Sequence, residues 1–261
     1  MKIATWNVNS VRTRLTQVVE WLQKTEVDVL CLQETKVVDE SFPIAEFRAI
    51  GYHPAVFGQK SYNGVALLSR EPLSTVQKGF AAVLGEAVGD LDEQKRVIST
   101  HYGGICIVNL YVPNGSAVGS EKYAYKLRWL ETLRQYLKAL LAQTDRLLVC
   151  GDFNVALEEI DIHDPKGREN QVMATELERQ ALRHAVLDLG LADGFRKFHP
   201  EPGQFSWWDY RTAAFRRNLG WRIDHIYLTP SLYAAAIDCT IDVEPRKQPQ
   251  PSDHAPVVIE F

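Results

Sequence analysis

Asn7 and Asn9, Glu34, Asp152 and Asn154, and Asp253 with His254 form four short clusters of amide, carboxylate and imidazole, far apart in the chain. Each borders an apolar run that reads as a buried strand: residues 4–9, 29–34, 147–154, and 251–256 ahead of Val257-Val258-Ile259. Strand ends are rigid. A fold that gathers these four makes an acidic pocket with one His. Its carboxylate and amide oxygens are hard donors, right for Mg²⁺ or Mn²⁺ and poor for zinc. That chemistry is metal-assisted hydrolysis of a phosphate ester.

Glu34 and Asp253 are the candidate metal ligands. Taken alone, Glu34 reads equally as a solvated loop carboxylate, and Asn7 and Asn9 as turn-formers. An Asn amide both donates to a phosphate oxygen and accepts from a water, so beside carboxylates it orients either. In Gly151-Asp152-Phe153-Asn154 the glycine lets backbones approach closely. An extended chain puts Asp152 and Asn154 on one face, where they can hold and deprotonate an attacking water. The plainer alternative is an Asx-turn closing the strand. Asp253 and His254 are neighbours and face opposite ways, so His254 needs a carboxylate from another strand. Asp224, in Arg222-Ile223-Asp224, is the candidate. A lone His is more often structural, but this one lies beside a metal-type Asp between two prolines.

Residues 205–222 hold three of the six Trp, four Arg and one Asp. Arg neutralises phosphates, and aromatic rings stack on bases or on a sugar drawn out of a duplex. At least one of these Trp is expected to pack inward. The whole chain carries a net charge of −4, so any nucleic acid must be held by such a local patch. A second basic run, Lys122, Lys126 and Arg128, reads as a solvated helix face.

The elements that must position these residues alternate. Leu15, Val18, Val19 and Leu22 recur at helical spacing. The 118–143 region gives the longest helix, with Leu127, Leu130, Leu133, Leu137 and Leu140 along one side. A third starts at Thr175, where Thr175 and Glu178 make a capping box, and stops before Gly190. Strands are expected at 53–57, 64–70, 97–102, 104–112, 222–228, 236–243 and 255–261, close enough in sequence for mixed pairing. With 46% hydrophobic and 24% charged residues the chain can bury a large core. The reading is one α/β domain over residues 1–261: two packed sheets flanked by helices. Cys31, Cys106, Cys150 and Cys239 include no CxxC pair and read as buried, reduced thiols. No apolar run reaches the ~18 residues of a membrane span, so no membrane partner is expected and a cytoplasmic protein is the default.

Seven motifs occur in the order found in a known family: Trp6-Asn7-Val8-Asn9, Leu32-Gln33-Glu34-Thr35-Lys36, Asn109 to Gly115, Gly151 to Asn154, Ser206 to Arg211, Arg222-Ile223-Asp224 and Ser252 to Pro256. Over its full length the chain resembles exonuclease III and the abasic-site endonucleases of the exonuclease/endonuclease/phosphatase superfamily. The resemblance implies a DNase I-like four-layer α/β sandwich, two mixed β-sheets flanked by helices. It implies a Mg²⁺ enzyme (Mn²⁺ as the alternative) that cuts duplex DNA 5′ to abasic sites and trims 3′ ends, working as a monomer. Glu34 would be the metal ligand, with Asn7 and Asp253 close to the metal. Asp152 would act on water, helped by Asn154. His254 paired with Asp224, and Tyr111, would contact the phosphate. Trp207, Trp221 and Ile223 would wall the pocket for a flipped sugar. Tyr62, Arg211, Asn114 and Lys122 would touch DNA.

The chain departs from the family in three places. Gly115-Ser116-Ala117 lacks the Arg that wedges into DNA in animal relatives. Asn9-Ser10 replaces a frequent Asn-Gly. His163 stands in the loop after Asp152, where a bulky ring would disfavour a flipped sugar and favour 3′-end trimming. The rivals are a 3′-end specialist, a same-scaffold enzyme for a lipid phosphate or RNA, and a non-catalytic DNA-binding or scaffold protein. The last should have lost at least one of the catalytic set, and none is lost.

Overall fold

The computed structural model describes residues 1–261, the side chain of residue 87 excepted. Twelve strands form: β1 (Lys2–Asn7), β2 (Val29–Gln33), β3 (His53–Phe57), β4 (Val65–Ser69), β5 (Val76–Lys78), β6 (Val97–Tyr102), β7 (Ile105–Tyr111), β8 (Leu147–Asp152), β9 (Ala192–Asp193), β10 (Asp224–Leu228), β11 (Asp238–Ile241) and β12 (Val257–Glu260). One sheet has the order β11-β12-β1-β2-β4-β3, the other β5-β6-β7-β8-β10-β9. Each is antiparallel except for a single parallel pair near its centre, β1 with β2 and β7 with β8. A parallel pair needs a crossover. The Leu15–Thr25 helix provides the first and the Glu121–Leu141 helix the second. Both crossovers leave two strand ends side by side: Asn7 opposite Gln33, and Tyr111 opposite Asp152.

The sheets face each other through Ile3, Val29, Cys31 and Leu67 on one side and Ile107, Leu148, Cys150 and Ile226 on the other. Alternate residues point outward. Ala4, Trp6, Leu30 and Leu32 pack under Val18, Trp21 and Leu22 of the first helix. Val108, Leu110 and Val149 pack under Trp129, Leu133, Leu137 and Leu182 of the two later helices. Four layers result, as expected. Central strands buried on both faces read as continuous apolar runs, which is why they were visible in the sequence. Each fully buried Leu, Val or Ile contributes about 1.5–3 kcal/mol of burial free energy.

The three helices form at the expected places, though Leu127 is only half-buried. Ser120 caps the long helix by accepting from Tyr123 N, and Thr175 and Glu178 form the capping box. The third helix stops at Ala185, earlier than expected; a tighter turn over Leu187–Leu189 follows, and Gly190 ends it at φ +89°. β5 and β9 were not anticipated, because three and two residues carry no periodicity. One expectation is overturned. Lys126 does not lie on a solvated face but is fully buried, on a stripe that runs through Tyr123, Leu130, Leu133 and Leu137. Among the described residues, no helix is long and apolar enough to cross a membrane. All four cysteines are buried and free.

Candidate active site

The strand ends meet at one edge of the sandwich. Asn7 ends β1, Glu34 follows β2, Asp152 ends β8, and Asp224 opens β10 directly opposite Asp152 in the ladder. His254 precedes β12. Asn7 Nδ2 donates to Glu34 Oε1 and to Asp152 Oδ2, both at 2.9 Å, and so ties the two sheets together across the site. Behind it, the buried Gln33 amide donates to Asn109 Oδ1 at 2.7 Å, and Asn109 donates to Leu32 O and Ala66 O at 2.9 Å. This bridge between β2 and β7 fixes the sheets' relative placement just below the acidic cluster.

His254 Nδ1 donates to Asp224 Oδ2 at 2.8 Å, and its Nε2 lies 3.8 Å from Asp152 Oδ2. Ser206 Oγ donates to the same Asp224 oxygen at 2.7 Å and accepts from the N–H groups of Ile223 and Asp224. Ser206 was missed as a site residue, since a Ser beside Trp207 carries no signal of its own. Burial alone would lower the His254 pKa, but Asp224 and Asp152 raise it to about 10, so the ring is an imidazolium at neutral pH. Burial drives the Asp152 carboxyl up to about 7, with His254 opposing the rise and Asp224 adding to it. Burial would raise Glu34 as well, but Lys36 and Asn7 bring it below its ordinary value.

Asn154 stands beside Asp152, though not by the alternation of an extended chain. It has φ +49°, and its N–H donates to Asp152 Oδ1 at 2.9 Å. The Asx-turn and the site pairing are one structure: the turn folds the amide back so that Nδ2 reaches Asp152 Oδ2 at 3.3 Å and Val112 O at 2.9 Å. Asp253 sits next to the cluster with both oxygens engaged, one by Asn9 Nδ2 and one by Trp207 Nε1, each at 3.0 Å. Lys36, which was not singled out, lies 2.8 Å from Glu34 and also donates to Asn9 Oδ1. Burial pushes the Tyr111 hydroxyl up, with Glu34 adding to the effect, so it remains a proton donor.

Tyr111, Asn114, Lys122 and Tyr62 line one cavity of about 380 Å³ together with Gln94 and Arg96. Trp207 and Trp221 meet edge-on with ring centroids 6.4 Å apart, and Ile223, Ile162 and Ala174 pack with them. Trp208, like Trp221, is buried, and it meets Phe215 edge-on. The Arg211 side chain is 88% exposed, unlike the buried cluster. His163 adjoins the Trp wall, with Nδ1 3.3 Å from Gly220 O.

Single ligand atoms of Glu34, Asp152 and His254 lie within 4.8 Å of one another. Four carboxylates (Glu34, Asp152, Asp224, Asp253) are answered here by two cationic side chains, Lys36 and His254. A divalent cation held by hard oxygens fits that deficit.

Residues 4–254 match the Endonuclease/Exonuclease/phosphatase family. The chain is 34% identical to exodeoxyribonuclease III of Haemophilus influenzae, with each protein covered completely. It superposes on an AP endonuclease from Archaeoglobus fulgidus with a TM-score of 0.93 at 44% identity, covering 100% of this chain and 99% of that one. It superposes equally fully on the Neisseria 3′ phosphatase NExo, solved with a product DNA hairpin, at 0.95 and 41%, with coverage of 100% and 99%. The assembled acidic edge, the two six-stranded sheets and these likenesses agree: the chain belongs to the endonuclease/exonuclease/phosphatase family, on its exodeoxyribonuclease III and AP endonuclease branch, and is a phosphodiester hydrolase.

Proposed function

We propose that residues 1–261 act as one domain that hydrolyses phosphodiesters of duplex DNA 5′ to abasic sites and trims blocked 3′ ends. The observation that carries this reading is the His254–Asp152 pair, a charged imidazolium beside a carboxyl of raised pKa, with Tyr111 opposite Asp152 in the ladder. Glu34 would hold the metal, with Asp253 beside it. Asn7 serves the metal by aligning Glu34, since in this structure its Nδ2 faces the carboxylates and its Oδ1 accepts from Asn9 N–H at 3.0 Å. Mg²⁺, or Mn²⁺ in its place, would when bound supply positive charge to offset the negative charge developing on the phosphate. His254, held by Asp224, donates from Nε2 to a phosphate oxygen as negative charge develops there. Tyr111 donates to another. Asp152 takes a proton from the attacking water, which Asn154 orients. The P–O3′ bond breaks, the departing 3′ oxygen takes a proton from solvent water, and a 3′-hydroxyl and a 5′-phosphate remain. Trp207, Trp221 and Ile223 wall the space for a sugar with no base, and Tyr62, Arg211, Asn114 and Lys122 carry the flanking DNA. The protein works as a monomer in the cytoplasm, where four buried thiols stay reduced.

One observation favours a second reading, 3′-end trimming with weak abasic incision. His163 is placed against Gly220, next to the Trp221 wall. Two labelled duplexes, each with Mg²⁺ and with EDTA, separate the two readings. One carries a central abasic analogue, the other a recessed 3′ end bearing a phosphate. Metal-dependent incision 5′ to the lesion supports the general reading. Release of 3′ phosphate without incision establishes the specialist and makes His163→Gly the next variant. Activity on neither overturns both.

A further inference from the structure

We infer that Lys126 is a positioning residue for the reaction, acting from behind the site through Asn154 and Asn114. The inference rests on the proposed hydrolysis at Asp152. Lys126 is fully buried on the long helix, where an apolar side chain would complete the stripe. Its Nζ donates to Asn154 O at 2.7 Å, to Asn114 O at 3.1 Å and to Glu178 Oε1, which uses all three ammonium hydrogens. Asn154 and Asn114 also meet in front, where Asn114 Nδ2 donates to Asn154 Oδ1 at 3.1 Å. One ammonium therefore clamps the backs of two loops whose side chains join at the site. Asn154 needs such a clamp. It is a non-glycine residue at φ +49°, and the Asp152 carboxylate takes its alignment from the Asn154 N–H.

Glu178 completes the brace. It is fully buried and accepts from Met173 N at 3.0 Å and from Thr175 N and Oγ1 at 3.2 and 2.7 Å. The brace thus reaches the segment that packs on the Trp221 wall. The stem is closely fitted: a Cβ at Gly115 would stand 3.2 Å from Lys126 Cδ. Fold stability alone gives no reason for a charge here, because apolar replacement of a buried ion pair is often neutral or stabilising. The pair's distinctive product is the fixed placement of two site carbonyls. Displacing a catalytic group by about 1 Å can cost on the order of 10²-fold in rate.

The test is the double variant Lys126→Met/Glu178→Gln, built in the natural and Asn154→Ala backgrounds. It leaves no unpaired charge, so it carries the test where Lys126→Met alone is unfolded by a stranded Glu178. Melting temperature, kcat and KM are read on a duplex with an abasic analogue and Mg²⁺. The folded double variant is expected to lose about tenfold or more in kcat with KM within about twofold, and the same change to cost less than about twofold once Asn154 is Ala. Unchanged kcat, or losses that simply multiply across the two backgrounds, would overturn the assignment and leave Lys126 a core residue. If the natural protein shows no metal-dependent cleavage, the proposed function itself fails; an active natural protein with an equally active double variant removes Lys126 alone.

Discussion

Asp152 and His254 lie 3.8 Å apart, the one driven toward neutrality by burial and the other kept charged by its carboxylate partners. Each is expected to matter through chemistry rather than through the fold. Asp152→Asn and His254→Ala should each lose about 10²–10⁴ in turnover. A near-natural rate in a folded variant removes that residue from the mechanism. The raised Asp152 also has a thermodynamic consequence. Its folded value of about 7 exceeds the ordinary 3.8, so the folded state binds this proton more tightly than the unfolded state does. The resulting stability is full below the ordinary value and is lost as pH rises through about 7. A divalent cation relieves the ionised form. Mg²⁺ should therefore raise the melting temperature more at pH 8 than at pH 6; equal gains at both would show that Asp152 is not linked to the ion. Glu34, Asp152, Asp224 and His254 were legible in sequence because each closes or opens an apolar run. The Asp152–Asn154 contact was legible in residue type but not in cause, because a turn rather than strand alternation makes it.

The turn over Glu159–Asp161 and the Trp221–Ile223 segment are joined by buried charge. Arg222 Nε donates to Asp161 Oδ1 and its Nη2 to Asp193 Oδ2, both at 2.7 Å, and Arg196 donates to the same Asp161 oxygen. Arg222 thereby anchors the residues on both sides of it, the two proposed walls of the sugar pocket. Burial would raise the Asp161 pKa, but Arg222, followed by His225 and Arg196, brings it down to about 2. Its contribution is present above the ordinary carboxylate value of 3.8 and fades as pH falls toward 2. Asp161→Ala leaves Arg222 buried and short of a partner, and is expected to cost about 3–5 kcal/mol in urea unfolding. A loss under about 1 kcal/mol would mean that water or Asp193 suffices. None of this network was read from sequence, since its members lie on four segments with no shared period. Lys126 is a different case. It lies three residues after Tyr123 and four before Leu130, so a stripe traced through those two instead of Leu127 places it inside. Its charge, not its spacing, made it read as solvated.

Across the whole molecule the charge is −4, yet the cavity carries Lys122 and Arg96, and Arg211 stands exposed elsewhere on the surface. On the proposed function, these few cations are the candidates for phosphate contacts on a mildly repulsive body. Arg211→Ala should weaken binding evenly across sequences and lower the slope of log affinity against log salt by about 1. An unchanged slope would place Arg211 off the DNA path. The sheet order shapes how the protein is made as well as how it works. β1 sits between β2 and β12, with Lys2 opposite Glu260. Its second neighbour thus leaves the ribosome long after it does. At ~5–20 residues per second, β1 spends about ten seconds or more with an apolar edge open to other chains. The strand that carries Asn7 is synthesised long before the strand that seals its edge, so the acidic pocket closes only after β12 has emerged.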